Sequence, residues 1–354
     1  MTPRDTSSNH NQQHEVVYVP PQERKRTRRA LLVVVLIFGV LFGGLVGSAA
    51  WLSAKLDDIR TLGDPFQGVT EVNNGEPRPS HPESDTSKPI NFLMLGTDSR
   101  ISAGDPSQWV KGAQRTDAFM ILQIAGDRES VNVISIPRDS WVDIPGYGKQ
   151  KINAAFSYGG PTLTIATVEQ LTGIPIDHVA VVDFTSFSAL TDALGGVTMT
   201  TSTEGTQTYD GEAALAFVRE RKNLPGGDFD RVRRQQLWMK TVADKVLTRE
   251  TLSNPANLLS LYNTVSPYVA VDEAFSLSTI LDLGTDFKAL QNADFNFLTA
   301  PNNGTATSAD GQSIVVLDEA NFGLLAQAFA EDRAEDFIKN NSDSLETLNS
   351  GEVR

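Results

Sequence analysis

The sequence predicts an α/β fold, with a central, mostly buried β-sheet flanked by helices and one transmembrane helix ahead of it. Three observations lead there. Apolar runs of strand length, "INFLML" and "SVNVISI" among them, lack the alternation of a sheet with one wet face, so they read as strands covered on both sides. Stretches of helical character alternate with these runs, as in layered α/β chains. Residues 30–52, "ALLVVVLIFGVLFGGLVGSAAWL", hold 23 positions without a charge. At about 1.5 Å rise per residue, such a helix crosses about 30 Å of hydrocarbon.

Taken in order, residues 1–29 form a polar tail in which Arg4, Arg24, Lys25, Arg26, Arg28 and Arg29 outnumber Asp5, Glu15 and Glu23. The block "RKRTRR" abuts the apolar run, so the positive-inside rule keeps it cytoplasmic and places the rest outside the cell membrane. Ser48-Ala49-Ala50 would suit signal-peptide cleavage, but the apolar run and its leader exceed the usual lengths, which favours an uncleaved anchor. Residues 53–62 prolong the helix as a stalk. Residues 63–89, with Pro65, Pro77, Pro79, Pro82 and Pro89 and no apolar periodicity, read as a flexible tether.

One domain follows over 90–330. It opens with strands at 90–100, 117–125 and 130–137, the last two joined through Gly126-Asp127. A hairpin at "WVDIPGYGKQKI", a helix over 161–171, a strand over 177–184 and a helix over 185–194 ending at Gly195-Gly196 come next. Asp210 caps a short helix that turns extended at Phe217-Val218, and a longer helix begins near Asp228 or Asp230. Residues 331–354 read as a polar, frayed tail.

Composition narrows the chemistry. The chain has no cysteine, which removes disulfides, thiolate metal sites and thiol nucleophiles together. Its four histidines are His10, His14, His81 and His178, too few and too scattered for a histidine zinc site or a Ser-His-Asp triad. A net charge of -14 argues against broad nucleic-acid binding, and a 29-residue cytoplasmic tail is too short for a DNA-binding domain. With no ATP expected outside the cell, any transfer reaction there needs a donor that arrives activated.

Against that acidic background stands "VRERKNLPGGDFDRVRRQQ", residues 218–236. Read as a strand, Arg219 and Arg221 share one face with Glu220 opposite. On the following helix Arg231 and Gln235 share a face, and the helix N-terminus adds its own preference for anions. A solvated basic helix face would explain the helix by itself. The upstream pair tips the reading towards a phosphate site, since guanidiniums bind phosphate bidentately. Asp98 and Arg100 follow the first strand, and Arg115 and Asp117 open the next, where two carboxylates meeting across the sheet would suit Mg²⁺ or Mn²⁺. An Asx-turn at Asp98 and an Arg115–Asp117 pair are the plainer alternative. Arg138 and Asp139 end a strand in "SIPRDSW", and Lys149 and Lys151 add point charges. Phe156, Phe184, Phe187, Leu190 and Leu194 are available for a greasy slot, although each suits ordinary core packing.

In this order, "FLMLGTDSR", "RTDAFMIL", "SIPRDSW", "KINAAFSYGG" and "ALAFVRERK" followed by "DFDRVRRQQ" closely resemble the LytR-CpsA-Psr (LCP) family of bacterial cell-wall glycopolymer transferases, over about residues 90–247. The resemblance implies a phosphotransferase. It would move a glycan phosphate from a polyprenyl-pyrophosphate-linked glycan to a peptidoglycan hydroxyl, release polyprenyl phosphate, and carry a pyrophosphatase side activity. It implies Asp98 and Asp117 as Mg²⁺ carboxylates, and Arg138, Arg219, Arg221, Arg231 and Gln235 as the pyrophosphate clamp, with Arg138 counted among the catalytic groups beside the two acids. Arg100, Arg115 and Lys151 are implied as supporting contacts, and Asp98 or Asp117 as the base. A lipid pyrophosphatase and a non-catalytic holder of anionic wall polymers are the rival readings. Arabinogalactan, teichoic acid, capsule and glycosylated surface protein all stay open as the glycan; the Ala, Gly and Asp usage suits an actinobacterial host, which favours arabinogalactan-like polymers.

Overall fold

The computed structural model describes residues 60–83, 87–97, 116–221, 223–246, 263, 269–275, 293–348 and 353–354. The expected cytoplasmic tail, transmembrane helix and most of the stalk lie outside them. Among the described residues no helix is long and apolar enough to cross a membrane.

The backbone of the fold is a mixed seven-stranded sheet. Its strands are β1 (Arg60–Thr61), β2 (Ile90–Thr97), β3 (Thr116–Ile124), β4 (Ser130–Ile136), β7 (His178–Asp183), β10 (Val269–Val271) and β11 (Asp294–Thr299), in the order β1-β10-β7-β2-β3-β4-β11. β2 pairs antiparallel with β3 and parallel with β7; β4 pairs antiparallel with β3 and parallel with β11. The carboxyl ends of β2, β4, β7 and β11 therefore share one end of the sheet with the amino end of β3.

Alternating side chains explain the apolar runs, because both faces are covered. Phe92, Met94, Met120, Leu122, Val131 and Val133 enter one core. Leu93, Leu95, Phe119, Ile121, Ile134 and Ile136 enter the other. Each such fully buried side chain contributes roughly 1.5–3 kcal/mol over exposure. The first face is closed by helix α3 (Phe184–Ala193), hairpin β8 (Val197–Thr201) with β9 (Gly205–Tyr209), helix α4 (Gly211–Arg219) and helix α5 (Asp228–Val246). The second is closed by helix α2 (Asn153–Thr172), helix α6 (Glu319–Ala330) and helix α7 (Ala334–Asn340), with hairpin β5 (Trp141–Ile144) and β6 (Gly148–Lys151) alongside. A small hairpin, β12 (Asn302–Thr307) with β13 (Ser313–Leu317), and the short helix α1 (Val69–Val72) complete the described elements. Phe156 belongs to the second core and Phe187 and Leu190 to the first, so the sheet separates side chains that a single slot would need together.

A polar row crosses the sheet near the start of β2. Gln123 donates to Asn91 Oδ1 (3.0 Å) and to the Phe329 carbonyl (2.7 Å), and Asn296 donates to Asn132 Oδ1 (2.8 Å). Asn91, Gln123 and Asn132 are all fully buried, and neighbouring strands pair in register at these positions. The donors of this buried row are paired while Gln123 Oε1 is left without a partner; the row still favours this register, since a slip would strand its donors in apolar surroundings.

Four expectations differ from the structure. The end of the stalk expected to continue a helix is instead strand β1, paired with β10, with Leu62 buried, and the tether over 63–89 is in part folded onto the domain, with Val69 buried and the Arg78 guanidinium bonded to Glu169 (2.6 Å). The tail over 331–354 contains α7 and buries Ile338, Leu345, Leu348 and Val353. The helix expected from 161 is preceded by a turn of helix beginning at Asn153, with a break at Gly159 and Gly160, where Gly160 takes φ +62. Pro161 then restarts the helix, as proline does well at a first helical position.

Candidate active site

The site lies at the end of the sheet where β2 and β4 finish and β3 begins. β3 carries a bulge there: the register passes from Gly96–Ala118 to Thr97–Thr116, leaving Asp117 as the extra residue. Bulges of this kind re-aim a side chain at the edge of a ladder. Gly96 packs closely against the neighbouring strand, since a Cβ there would stand 3.0 Å from that of Ala118. Across the other edge Phe119 pairs with Ile136, so Arg138, two residues beyond the strand, comes opposite Asp117. The two meet, with Arg138 Nη1 donating to Asp117 Oδ1.

Helix α5 supplies the other half. The loop before it folds back so that the Gly226 amide donates to Asp230 Oδ2 (2.8 Å), at a position where a Cβ would collide with that carboxylate. This sets Asp228 at the first turn and Arg231 one turn on, with Arg231 Nη2 2.8 Å from Asp228 Oδ1. Arg231 Nη2 also lies 3.5 Å from the Asp117 carbonyl, and Arg138 Nε lies 3.8 Å from Asp228 Oδ1. Asp139, 3.7 Å from Arg138 Nε, takes Lys151 Nζ at 3.1 Å from the end of β6. Gln236 fastens α5 to the sheet by donating to Ser135 Oγ (2.9 Å) and the Leu298 carbonyl (3.1 Å).

Burial sets the electrostatics. Burial pushes the Asp228 carboxyl above its ordinary value, although Arg231 and Arg138 pull the other way. Burial likewise lowers Arg231, against the attraction of Asp228. Burial also works against the Arg138 charge, but Asp117, with Asp228 and Asp139, outweighs it and raises the pKa. Arg138 Nε, Arg231 Nε and both Asp228 oxygens are buried without a hydrogen bond. Unpaired guanidinium donors crowded at a strand end and a helix N-terminus form an anion-binding arrangement.

The expected site residues divide as follows. Asp117, Arg138, Lys151 and Arg231 come together, and Arg221 lies close enough to act electrostatically on Asp228 and Arg231. Gln235 is buried on the same face of α5 as Arg231. Arg219 and Arg221 are not on a strand: α4 runs through Arg219, and Glu220 then turns the chain by accepting from the amides of Arg221 (2.7 Å) and Asn223 (3.2 Å). Helical character persists because Asp210 caps α4 through the Ala213 amide (2.8 Å) and Ala214, Phe217 and Val218 pack inward. Both arginines are exposed. Asp98, Arg100 and Arg115 lie outside the described residues. Among the described residues no group of three or more acidic or histidine side chains is placed to hold a metal ion.

Asp139 and Asp228 are the site residues that sequence reasoning passed over as chemistry. Asp228 read as a helix start, and Asp139 as the partner of its neighbour. The available signal was position, since each follows a Pro or Gly that ends one element beside the other cations.

Comparison with known proteins accords with this geometry. The chain is 30% identical over 282 residues to "Cell wall biosynthesis protein LcpA" of Corynebacterium glutamicum, covering 64% of this chain and 53% of the relative. It is 34% identical over 203 residues to "Polyisoprenyl-teichoic acid--peptidoglycan teichoic acid transferase TagU" of Bacillus cereus, covering 54% of this chain and 64% of the relative. It thus spans less than two thirds of the length of these curated relatives. The fold matches B. subtilis TagT at a TM-score of 0.54 and 24% identity, covering 71% of this chain and 93% of that one. A structure described as TagT bound to LI-WTA matches at 0.54 and 25% identity, covering 73% and 97%. The LytR_cpsA_psr family matches residues 66–329, which hold β2, β3, β4 and α5 with every described site residue, and the chain belongs to that family.

Proposed function

We propose that this chain moves a glycan phosphate from a polyprenyl-pyrophosphate-linked glycopolymer to a peptidoglycan hydroxyl outside the cell membrane, releasing polyprenyl phosphate. The observation that carries the reading is the meeting of Arg138 and Arg231 with Asp117 and Asp228 at the strand ends, with Arg221 near enough to act on Asp228 through its charge. The relative named as a teichoic acid transferase and the TagT structure with LI-WTA support it from outside the chain.

In this reaction the acceptor oxygen bonds to the phosphorus that carries the glycan. The bond from that phosphorus to the bridging oxygen breaks, and the electron pair leaves with polyprenyl phosphate. Negative charge grows on the bridging and leaving oxygens, where Arg138 and the buried Arg231, with Arg221 at the exposed edge, stabilise it. The acceptor proton passes to a carboxylate of the site. Asp98 and Asp117 are candidates, joined by Asp228: burial pushes its carboxyl above the ordinary value, which makes it the stronger base once ionised. Asp117 also fits one end of a divalent site, being a hard, partly exposed carboxylate beside guanidiniums that would share the same phosphate. With Asp98 it would hold Mg²⁺ or Mn²⁺, which would supply Lewis-acid stabilisation of the phosphate oxygens.

The test is turnover of the full chain in detergent with a polyprenyl-pyrophosphate glycan and peptidoglycan oligomers. Phosphodiester-linked glycan is the expected product. Free phosphate formed whether or not acceptor is present would instead mark a lipid pyrophosphatase, and binding without turnover a wall-polymer holder. Arg219→Ala with Arg221→Ala should lower the rate by at least about 100-fold at an unchanged melting temperature. Full activity in that folded double variant would remove the clamp.

A further inference from the structure

Strand β1 shows from which end of the sheet the chain enters the fold. It pairs parallel with β10, and β10 pairs antiparallel with β7, so Arg60 stands level with Ala270, Val181 and, across the next ladder, Leu95 of β2. Thr61 stands level with Val271, Ala180 and Met94, so the chain runs away from the end that holds the anion site. It then descends the edge of the domain. The Glu273 amide donates to the Gly63 carbonyl (2.9 Å), the Arg78 guanidinium donates to the Ile176 carbonyl (2.6 Å) as well as to Glu169, and His81 meets Asp177. Asp177 also accepts from the Asn91 amide (2.7 Å), at the start of β2 and so at the far end of the sheet. Residues 60–83 are thus a strap that begins near the active end and is pinned to the domain on its way down.

The length of chain ahead of the strap turns this path into an orientation. Residues 53–59, seven in all, separate β1 from the apolar run 30–52 that is expected to cross the membrane. Seven residues reach at most about 25 Å. Released from the domain, the strap would add thirty residues, 60–89, and the fold would hang from the start of β2 on a tether reaching more than about 100 Å. Pinned as it is, the strap keeps the start of β1 within the shorter reach, three ladders or about 15 Å across the sheet from β2. The charges agree with this. Arg219 and Arg221 are exposed beside the clamp, whereas Asp127 and Glu129 are exposed at the β3–β4 connection of the far end, so it is the active end that suits an anionic lipid surface.

We propose that the active end of the sheet faces a bilayer containing anionic lipid, and that the strap over 60–83 is the device that holds it there. The clamp then stands on the side where a membrane-borne diphosphate presents itself, and the β3–β4 connection points away from the bilayer. The proposal rests on the transfer reading above and on the membrane-crossing run expected over 30–52.

The test uses the full chain in vesicles of phosphatidylcholine and phosphatidylglycerol. Because the sequence has no cysteine, Asn223→Cys beside the clamp and Glu129→Cys at the far end each accept a single fluorophore. A nitroxide-headgroup lipid should quench the label at 223 severalfold more than the label at 129. Equal quenching, or stronger quenching at 129, overturns the proposal, and so does failure of the chain to associate with the vesicles. A second variant carries about thirty added Gly and Ser residues between Ile59 and Arg60. Its turnover of a bilayer-borne polyprenyl-pyrophosphate glycan should fall by up to about 10-fold, while turnover of a water-soluble geranyl-pyrophosphate glycan stays unchanged. Bilayer turnover that holds or rises on lengthening would overturn the orientation. If neither donor is turned over by the wild-type chain, the transfer reading fails, and the two labels still decide which end faces the lipid.

Discussion

Arg231 and Arg234 stand three apart on α5 and do unlike work. Arg231 faces Asp228 and Asp117, whereas Arg234 is spent on architecture. Its guanidinium lies 4.0 Å over the Phe217 ring, donates to the Phe217 carbonyl (3.3 Å) and to Glu204 Oε1 (3.3 Å), and reaches the Arg354 carbonyl. Arg233 likewise turns away, pairing with Glu346 (2.6 Å). Arg234→Ala should therefore cost roughly 2–4 kcal/mol of stability through lost charge pairing and packing, read as a fall in the urea midpoint, whereas the exposed Arg219→Ala should leave that midpoint in place. At this scale the sequence marked the basic stretch but not its division of labour. Residue type and spacing reveal a helix face, yet which arginine meets the acids depends on β3 and β4, distant in the chain. Asp228 was legible as a helix start for the same reason it was illegible as chemistry: an acid at a helix N-terminus is commonplace, and its burial is supplied by other elements.

At the scale of elements, the β3–β4 turn shows how a connection is held. The Gly126 amide donates to Asp332 (3.0 Å), just past α6, and a Cβ at Gly126 would lie 2.2 Å from the Ser87 carbonyl. Burial raises the pKa of Asp332, with Asp127 adding to the shift and the Gly126 amide, Arg128 and His81 opposing it. A carboxyl whose folded pKa exceeds its unfolded value of about 3.9 stabilises the fold by taking up its proton. That stabilisation is fully present below the unfolded pKa and is lost as pH rises through the folded pKa. Asp332→Asn keeps an acceptor for Gly126 and suits the φ of +56, a region asparagine tolerates. Its urea midpoint relative to wild type should accordingly climb between about pH 3 and pH 7; a pH-independent difference would rule out the burial argument. Strands β2, β3, β4 and β7 were legible because runs covered on both faces are largely apolar. Hairpin β8–β9 was not picked out, although its "VTMTT" alternates buried and exposed, and nor were the elements after α5.

For the whole molecule, the folded part begins earlier and ends later than proline content and polarity suggest. Arg78 and Glu169, 91 positions apart, form a bidentate pair in which Glu169 is almost wholly buried; Arg78 also stacks on Phe66, and His81 meets Asp177 at 2.6 Å. No local pattern announces such contacts, because each half is an ordinary charged residue until the fold brings them together. Arg78→Ala should cost about 2–4 kcal/mol, below the range for a fully buried pair because Arg78 is itself partly exposed. A chain starting at residue 87 should likewise melt well below one starting at residue 56. Equal melting temperatures for the two chains would return 60–83 to the status of a linker.

The extra residue in β3 gives the site a dependence on chain length as well as on side-chain identity. Deleting Thr116 would let Asp117 take its place in the ladder opposite Thr97 and swing that carboxylate to the other face, away from Arg138, with every expected site residue still present in the sequence. Relatives that keep the motif but lose that one-residue surplus should be folded and silent, so counting positions between Thr97 and Ala118 partners is a sharper guide to activity here than matching letters.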